Sequence, residues 1–345
     1  MRNRFCFSGR HLLSIFVGLT VLAGSGPARA QQAVPAAPGR LIDLGGYRLH
    51  LNCTGRGKPT VVLSAGAGDF SFDWALVQPE LARFTRVCSY DRSGEAWSDL
   101  GPKPRTADQE VFDLERLLAR GGQRGPYVLV GQSLGGMVAR LFASAYPRET
   151  AGLVLVDAFS EDAQLSMNGK LVRVRETARD RQVPDPHLRA DAADRLTGDE
   201  KRAIQDFMTT VGKPTIEAPF DRLPASVQTD RLWALSLPGH YAGGDDYLAE
   251  IAARLHAEAE ATSHPLGDLP VIVLTRTRDE YPPDQVAVLS REHREQQQRL
   301  ASLSSRDTLI VVPDAGHHIQ LDQPAAVVDA IHSLVEDLRR HPPAR

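Results

Sequence analysis

An α/β fold with a mostly parallel sheet, interrupted by a helical insertion, is the architecture this sequence predicts. Three observations predict it. Short, continuous apolar runs rich in β-branched residues recur along the chain, and helical patterns lie between them. One stretch, 158–268, breaks that alternation. The 345 residues are 42% hydrophobic and 24% charged, which excludes a disordered, collagen-like or coiled-coil chain. Internal repeats are absent, which argues against a solenoid. A net charge of −3 gives no reason to expect a nucleic-acid partner.

The N-terminus carries Arg2, Arg4 and Arg10, then an apolar run from Leu12 to Ala23, then Ser25-Gly26-Pro27-Ala28-Arg29-Ala30. A basic start, a short apolar centre and small residues at the end read as a secretory signal over 1–30, cleaved after Ala30. The run is shorter than the roughly 20 residues that span a bilayer, so stable membrane insertion is not expected. The expected location is periplasmic or secreted. Export leaves Cys53 and Cys88, which either pair in an oxidising compartment or remain small buried hydrophobes.

Residues 31–40 read as a flexible leader. Leu41–Leu44 and Tyr47–Asn52 straddle Gly45-Gly46, the pattern of an antiparallel hairpin at a sheet edge. Buried strands follow at Thr60–Ser64, Arg86–Tyr90, Tyr127–Val130, Leu153–Val156, Val271–Leu274 and Thr308–Val312. Continuous rather than alternating apolar runs suit strands covered on both faces. Thr106 with Gln109 reads as a capping box before a face of Val111, Leu114, Leu117 and Leu118. Leu134–Tyr146 is helical in pattern and stops at Pro147. Pro324 opens a last helix whose apolar positions run from Val327 to Leu338. The core is therefore expected from 31–157 and 269–345. The charged stretch 158–268, with helix-like segments at Leu171–Arg181, Asp199–Val211 and Asp246–Ala261, reads as a helical cap or lid.

The chemistry centres on Gly131-Gln132-Ser133-Leu134-Gly135, between an apolar strand and a helical segment. Flanking glycines permit a sharp strand-to-helix turn that presents the Ser133 hydroxyl at the positive end of a helix. A serine hydroxyl needs an adjacent base, and the base an orienting acid. Pro313-Asp314-Ala315-Gly316-His317-His318 follows the last strand and supplies the base. His317 is favoured over His318 because Gly316 permits the sharp turn that would aim it. Two acids satisfy the order Ser, acid, His. Asp279 is favoured, because the loop of the neighbouring strand is expected closest to His317. Asp157, at a strand end, is the alternative, and Glu280 is a third option. Two oxyanion donors are expected. The Leu134 amide is one by position; Ala67 in Ala65-Gly66-Ala67-Gly68 is the other, with Gly68 as its near alternative. His240 and His264 could line a pocket, and the other histidines read as surface or cap residues.

These residues resemble the α/β-hydrolase fold family, most closely its capped serine esterases and lipases. The strand–Gly131-Gln132-Ser133-Leu134-Gly135–helix elbow carries most of the resemblance. Leu63-Ser64-Ala65-Gly66-Ala67-Gly68, Tyr90-Asp91-Arg92-Ser93-Gly94 with Trp97-Ser98, and Gly316-His317 carry the rest. Gln132, and Ser64-Ala65-Gly66 in the first oxyanion loop, depart from the family's common residues. The resemblance implies an eight-stranded sheet with an antiparallel second strand. It also implies that the strand bearing Cys53 lies beside the strand bearing Cys88, within reach of a disulfide. A dinucleotide fold is disfavoured by the missing Gly-x-Gly-x-x-Gly, and a metal site by the missing Cys-x-x-Cys and His-Glu-x-x-His.

The combined expectation is an exported serine hydrolase of small-molecule carboxylic esters that needs no cofactor. An amide, peptide, lactone or carbon–carbon substrate would use the same residues. A non-catalytic binding protein on the same fold is the reading from another class.

Overall fold

A computed structural model describes residues 34–103, 105–167, 170–178, 196–243 and 247–342. The expected signal at 1–30 lies outside them. The first strands are β1 (Arg40–Asp43), β2 (Arg48–Thr54) and β3 (Thr60–Ser64). Helix α1 (Gln78–Leu81), strand β4 (Val87–Tyr90), helix α2 (Ala107–Arg120), strand β5 (Tyr127–Gln132), helix α3 (Leu134–Ala145) and strand β6 (Thr150–Val156) follow. An insertion then carries β7 (Gln164–Met167), β8 (Lys170–Arg173), α4 (Gly198–Val211), α5 (Ala225–Leu235), α6 (Pro238–Gly243) and α7 (Leu248–Ala261). The chain returns through β9 (Val271–Arg276), α8 (Val286–Ala301), β10 (Asp307–Val312), α9 (Ile319–Asp322) and α10 (Pro324–Arg340). No helix among the described residues is long and apolar enough to cross a membrane.

Eight strands form one sheet in the order β1-β2-β4-β3-β5-β6-β9-β10. Strand β2 runs antiparallel to both neighbours, and the other pairings are parallel. The continuous apolar runs have the expected cause, because both faces are covered. Leu129, Leu153 and Val273 pack with Val111, Leu114 and Leu117 of α2 and Met137 and Leu141 of α3. Val128, Val130, Val154 and Leu274 face the other way, onto Leu81, Ile331, Leu334 and Val335. Each such fully buried side chain contributes about 1.5–3 kcal/mol relative to its exposed state. Cys53 and Cys88 face each other across β2 and β4, and their sulfurs are bonded.

Two local expectations are corrected, and one element is new. Thr106 does cap α2, accepting from Gln109 N, but the Gln109 side chain turns to Asp113 (2.7 Å), so only half of the capping box forms. The insertion opens with an antiparallel hairpin, β7 against β8, where a helix from Leu171 was expected. Asn168-Gly169 between the strands is the hairpin signal that the sequence carried. Residues 174–178 continue as a 3-10 turn, and the rest of that expected helix lies outside the described residues. Helix α8, which supplies a residue to the site, has no counterpart among the expected elements.

Candidate active site

Ser133 stands between β5 and α3 with φ +52° and ψ −121°, a conformation that L residues rarely adopt. The turn is held by Ser133 N donating to Val156 O (3.3 Å) and by Phe159 N donating to Ser133 O (3.0 Å). Its glycines are required by space. A Cβ on Gly131 would lie 2.2 Å from Gly135 O, and one on Gly135 would lie 2.3 Å from Ser64 O. The strand, the helix start and the loop after β3 therefore close on one another only without side chains. Ser133 itself keeps 9% exposure. Leu134 begins α3, in the turn where backbone N–H groups have no intrahelical partner.

The loop after β3 lies against Ser133. A Cβ on Gly66 would come within 3.2 Å of Ser133 Cβ. Asp69 N donates to Gly66 O (3.2 Å) and closes a turn over Ala67 and Gly68, with Gly68 at φ +70°. Ala67 and Gly68 are thus at the tip of a tight turn beside the serine, where a backbone donor can approach a substrate. Phe70 to Trp74 follow in a buried 3-10 turn.

His317 follows β10. Its Nδ1 is 2.7 Å from Asp157 Oδ2. An ionised carboxylate only accepts, so Nδ1 carries the proton and Nε2 is left free to take one. The preferred acid, Asp279, is therefore corrected. It lies three residues past the end of β9, on an exposed loop, while Asp157 stands directly at the end of β6. Asp157 N donates to Leu274 O (2.8 Å), which ties the carboxylate to the sheet, and its φ of +42° turns it out of the strand. Glu280, the third option, accepts from the backbone N of His317 (3.0 Å) and so holds the loop rather than the imidazole. Gly316 serves that contact, since a Cβ there would meet Glu280 Oε1 at 2.0 Å. The left-handed residue of this loop is Asp314, at φ +57°, not the glycine.

Asp157 has more partners than the sequence suggested. Arg276 Nη1 donates to Oδ2 (2.6 Å), and Arg276 N donates to Oδ1 (3.2 Å). His293 Nε2, from α8, lies 3.0 Å from Oδ1. Arg276 Nη1 is also 3.1 Å from His317 Nδ1. Burial would raise the Asp157 pKa; hydrogen bonds from His293 and His317 and the charge of Arg276 outweigh it and hold the carboxyl far below its usual range. A cavity of about 220 Å³ opens beside this group, lined among others by Phe159, Leu165, Arg276, Tyr281, His293 and His317.

His318 is not a spare base. Its Nε2 lies 3.2 Å from Asp69 Oδ2, and its ring packs edge-on against Phe220 of the insertion. Asp69 also accepts from Arg231 of α5 (3.1 Å), and Arg231 bonds Asp73 with its other nitrogen. His240 packs on Phe70 of the same loop, with ring centroids 5.5 Å apart, and bonds Glu95 of the loop after β4 at 2.7 Å. His264 is exposed and contacts Ser302 O, away from these groups. Neither the pairing of Asp157 with Arg276 and His293 nor the Arg231 bridge left a sequence signal, because each joins segments far apart in the chain.

Residues 61–330 match the profile of the alpha/beta hydrolase family. A probable transporter of Hormonema carpetanum is 28% identical over 312 residues, 86% of this chain and 42% of that protein. A putative carbamate hydrolase of Cronobacter turicensis is 33% identical over 105 residues, 30% of this chain and 39% of that protein. The chain spans less than half the length of these curated relatives. Among solved structures, an esterase from Thermogutta terrifontis superposes with a TM-score of 0.60 at 24% identity, covering 88% of this chain and 99% of that one. An enol-lactonase from Burkholderia xenovorans gives 0.58 at 18% identity, covering 86% and 100%. These structures share the fold, and with residues 61–330 matching the family profile the chain is a member of the alpha/beta hydrolase family.

Proposed function

We propose that the protein is a serine hydrolase of carboxylic esters, with Ser133 as nucleophile, His317 as base and Asp157 as its orienting acid. The observation that carries this reading is the 2.7 Å contact of His317 Nδ1 with a buried, ionised Asp157, on loops that converge at the strained Ser133 elbow. Nε2 of His317 takes the Ser133 proton as Oγ attacks the carbonyl carbon. The carbonyl π pair moves to oxygen, and the amides of Leu134 and Ala67 stabilise that oxyanion. Its collapse expels the alkoxide, which leaves with the proton from His317. Water, deprotonated by the same imidazole, then cleaves the acyl-enzyme. These steps use only side chains and water, so the reading calls for no cofactor and takes a small-molecule ester as partner.

The reading includes export, supported by the basic-then-apolar N-terminus and by the Cys53–Cys88 bond, which suits an oxidising compartment. Segment 158–268 is read as the cap. The test compares p-nitrophenyl acetate and longer esters with the wild type and Ser133→Ala, alongside mass-spectrometric mapping of a fluorophosphonate adduct. Turnover abolished in Ser133→Ala with the adduct on Ser133 is expected. A folded wild type that neither turns over an ester or lactone nor labels at Ser133 would favour the binding-protein reading instead.

A further inference from the structure

We propose that Arg92 is a positioning residue for the oxyanion hole, an inference that rests on the serine-hydrolase reading. Arg92 lies in the loop after β4 and is 4% exposed. Its Nη1 donates to the carbonyl of Ala65 at 2.6 Å, and its Nη2 donates to the carbonyl of Gly66 at 2.5 Å. Two successive carbonyls of the loop after β3 are thus drawn to one guanidinium.

The consequence follows from peptide planarity. In a trans peptide the C=O and N–H bonds point in opposite directions. The carbonyls of Ala65 and Gly66 share their peptide planes with the N–H groups of Gly66 and Ala67. Pulling both carbonyls to Arg92 turns both N–H groups to the opposite face of the loop. The Ala67 amide is the one assigned to the oxyanion. If that peptide rotated, a carbonyl dipole would meet the developing negative charge where an amide should.

Arginine suits this task for two reasons. Its planar fork spans two acceptors in fixed geometry, which a lysine ammonium does not. It also cannot be deprotonated in a folded protein, so the loop keeps one orientation. The permanent positive charge behind the loop polarises both peptides, which strengthens their outward donors. Gly66 O also accepts from Asp69 N, so the turn retains one closing bond when Arg92 is replaced. Loss of Arg92 should therefore misaim the loop rather than dissolve it.

The experiment uses the full-length protein as wild type, Arg92→Met and Arg92→Lys. It measures kcat and KM on p-nitrophenyl acetate, inhibition by phenylboronic acid and thermal melting. The boronate forms a tetrahedral adduct with Ser133, whose anionic oxygen needs the hole. Removing an oxyanion donor costs roughly 10²–10³-fold in kcat. Arg92→Met should approach the lower figure, in kcat rather than KM, with boronate affinity weakened by a similar factor. Arg92→Lys should fall between it and wild type. Boronate affinity and kcat unchanged in a folded variant overturn the proposal. So does a lower rate that tracks melting temperature while boronate affinity holds. If Arg92→Met fails to fold, Arg92→Lys decides by the same criteria. A wild type that does not label at Ser133 brings down the serine-hydrolase reading and this inference together, whereas normal labelling with unaffected variants brings down only the inference.

Discussion

His317 and His318 are neighbours in the chain, yet each hydrogen-bonds a different buried carboxylate. His317 meets Asp157, and His318 meets Asp69. Each carboxylate also holds an arginine. The sources of those arginines differ. Asp157 draws Arg276 from β9 and His293 from α8, so both of these partners belong to the sheet or to a helix packed on it. Asp69 draws Arg231 from α5 of the insertion, and Arg231 lies 3.4 Å from the centre of the Phe220 ring, also in the insertion. The first cluster is a fixture of the core. The second is a joint between the insertion and the turn that bears Ala67. The same three residue types can hold a histidine against the core or fasten one part of the chain to another, depending on which elements supply them.

The largest expected effect breaks the comparison at the core cluster. Asp157→Asn keeps the shape but cannot hold the Nδ1-protonated tautomer of His317, so kcat should fall by about 10⁴-fold with the protein still folded. Asp279→Asn, on the exposed loop, should stay within about twofold of wild type, as surface changes usually do. Ester turnover and circular dichroism on the two variants check this. A silent Asp157→Asn beside an inactive Asp279→Asn would reverse the assignment. At the joint the order of effects inverts, with stability going first. Arg231→Met leaves Asp73 buried without its cation and Asp69 with His318 alone, and breaking a buried pair in this way costs about 3–5 kcal/mol. Urea unfolding should show that loss. A change below about 1 kcal/mol would mean that the insertion is not fastened through Arg231.

The two regions were not equally legible in the sequence. The sheet strands were, because strands covered on both faces show as continuous apolar runs. Ser133 and His317 were, because a strained turn and a loop after the last strand need local residue types. Asp157 was visible as a strand end but ranked second. The adjacent-strand argument took β9 to offer Asp279, whereas β9 ends in Arg276, whose guanidinium occupies that position and bonds Asp157. Sequence adjacency cannot show that a strand's last side chain points at its neighbour's acid. His293 was read as a surface histidine because nothing local marked α8. Arg231 is 162 residues from Asp69, and its ion pair exists only once the insertion has folded back. Local chemistry reads from local sequence; pairings across the fold do not.

The smallest effect sharpens the comparison by pH. Arg231 faces two carboxylates and neutralises one charge. Burial pushes Asp73 up to about 7, against the pull of Arg231 and with the Asp69 charge adding to the rise. Asp69 moves the other way: burial is outweighed by the hydrogen bond and charge of His318 and by Arg231. His318 is raised, since its bond and attraction to Asp69 exceed the cost of burial. A raised carboxyl binds more protons folded than unfolded, so Asp73 makes the protein lose stability as pH rises from near ~4 to about 7. The raised His318 contributes stability that is full below its unfolded value and is lost as pH rises through its folded one. Asp69 and Asp157 contribute stability that is present at these pH values and lost only on acidification. Asp73→Asn mimics the protonated carboxyl permanently. Unfolding free energies at pH 5 and pH 8 should therefore differ less in Asp73→Asn than in wild type, with the remaining fall shared by the other raised groups, His318, His50 and Asp113. The same fall in both proteins would show that the joint carries no proton at Asp73, and that Arg231 balances both carboxylates in their ionised form.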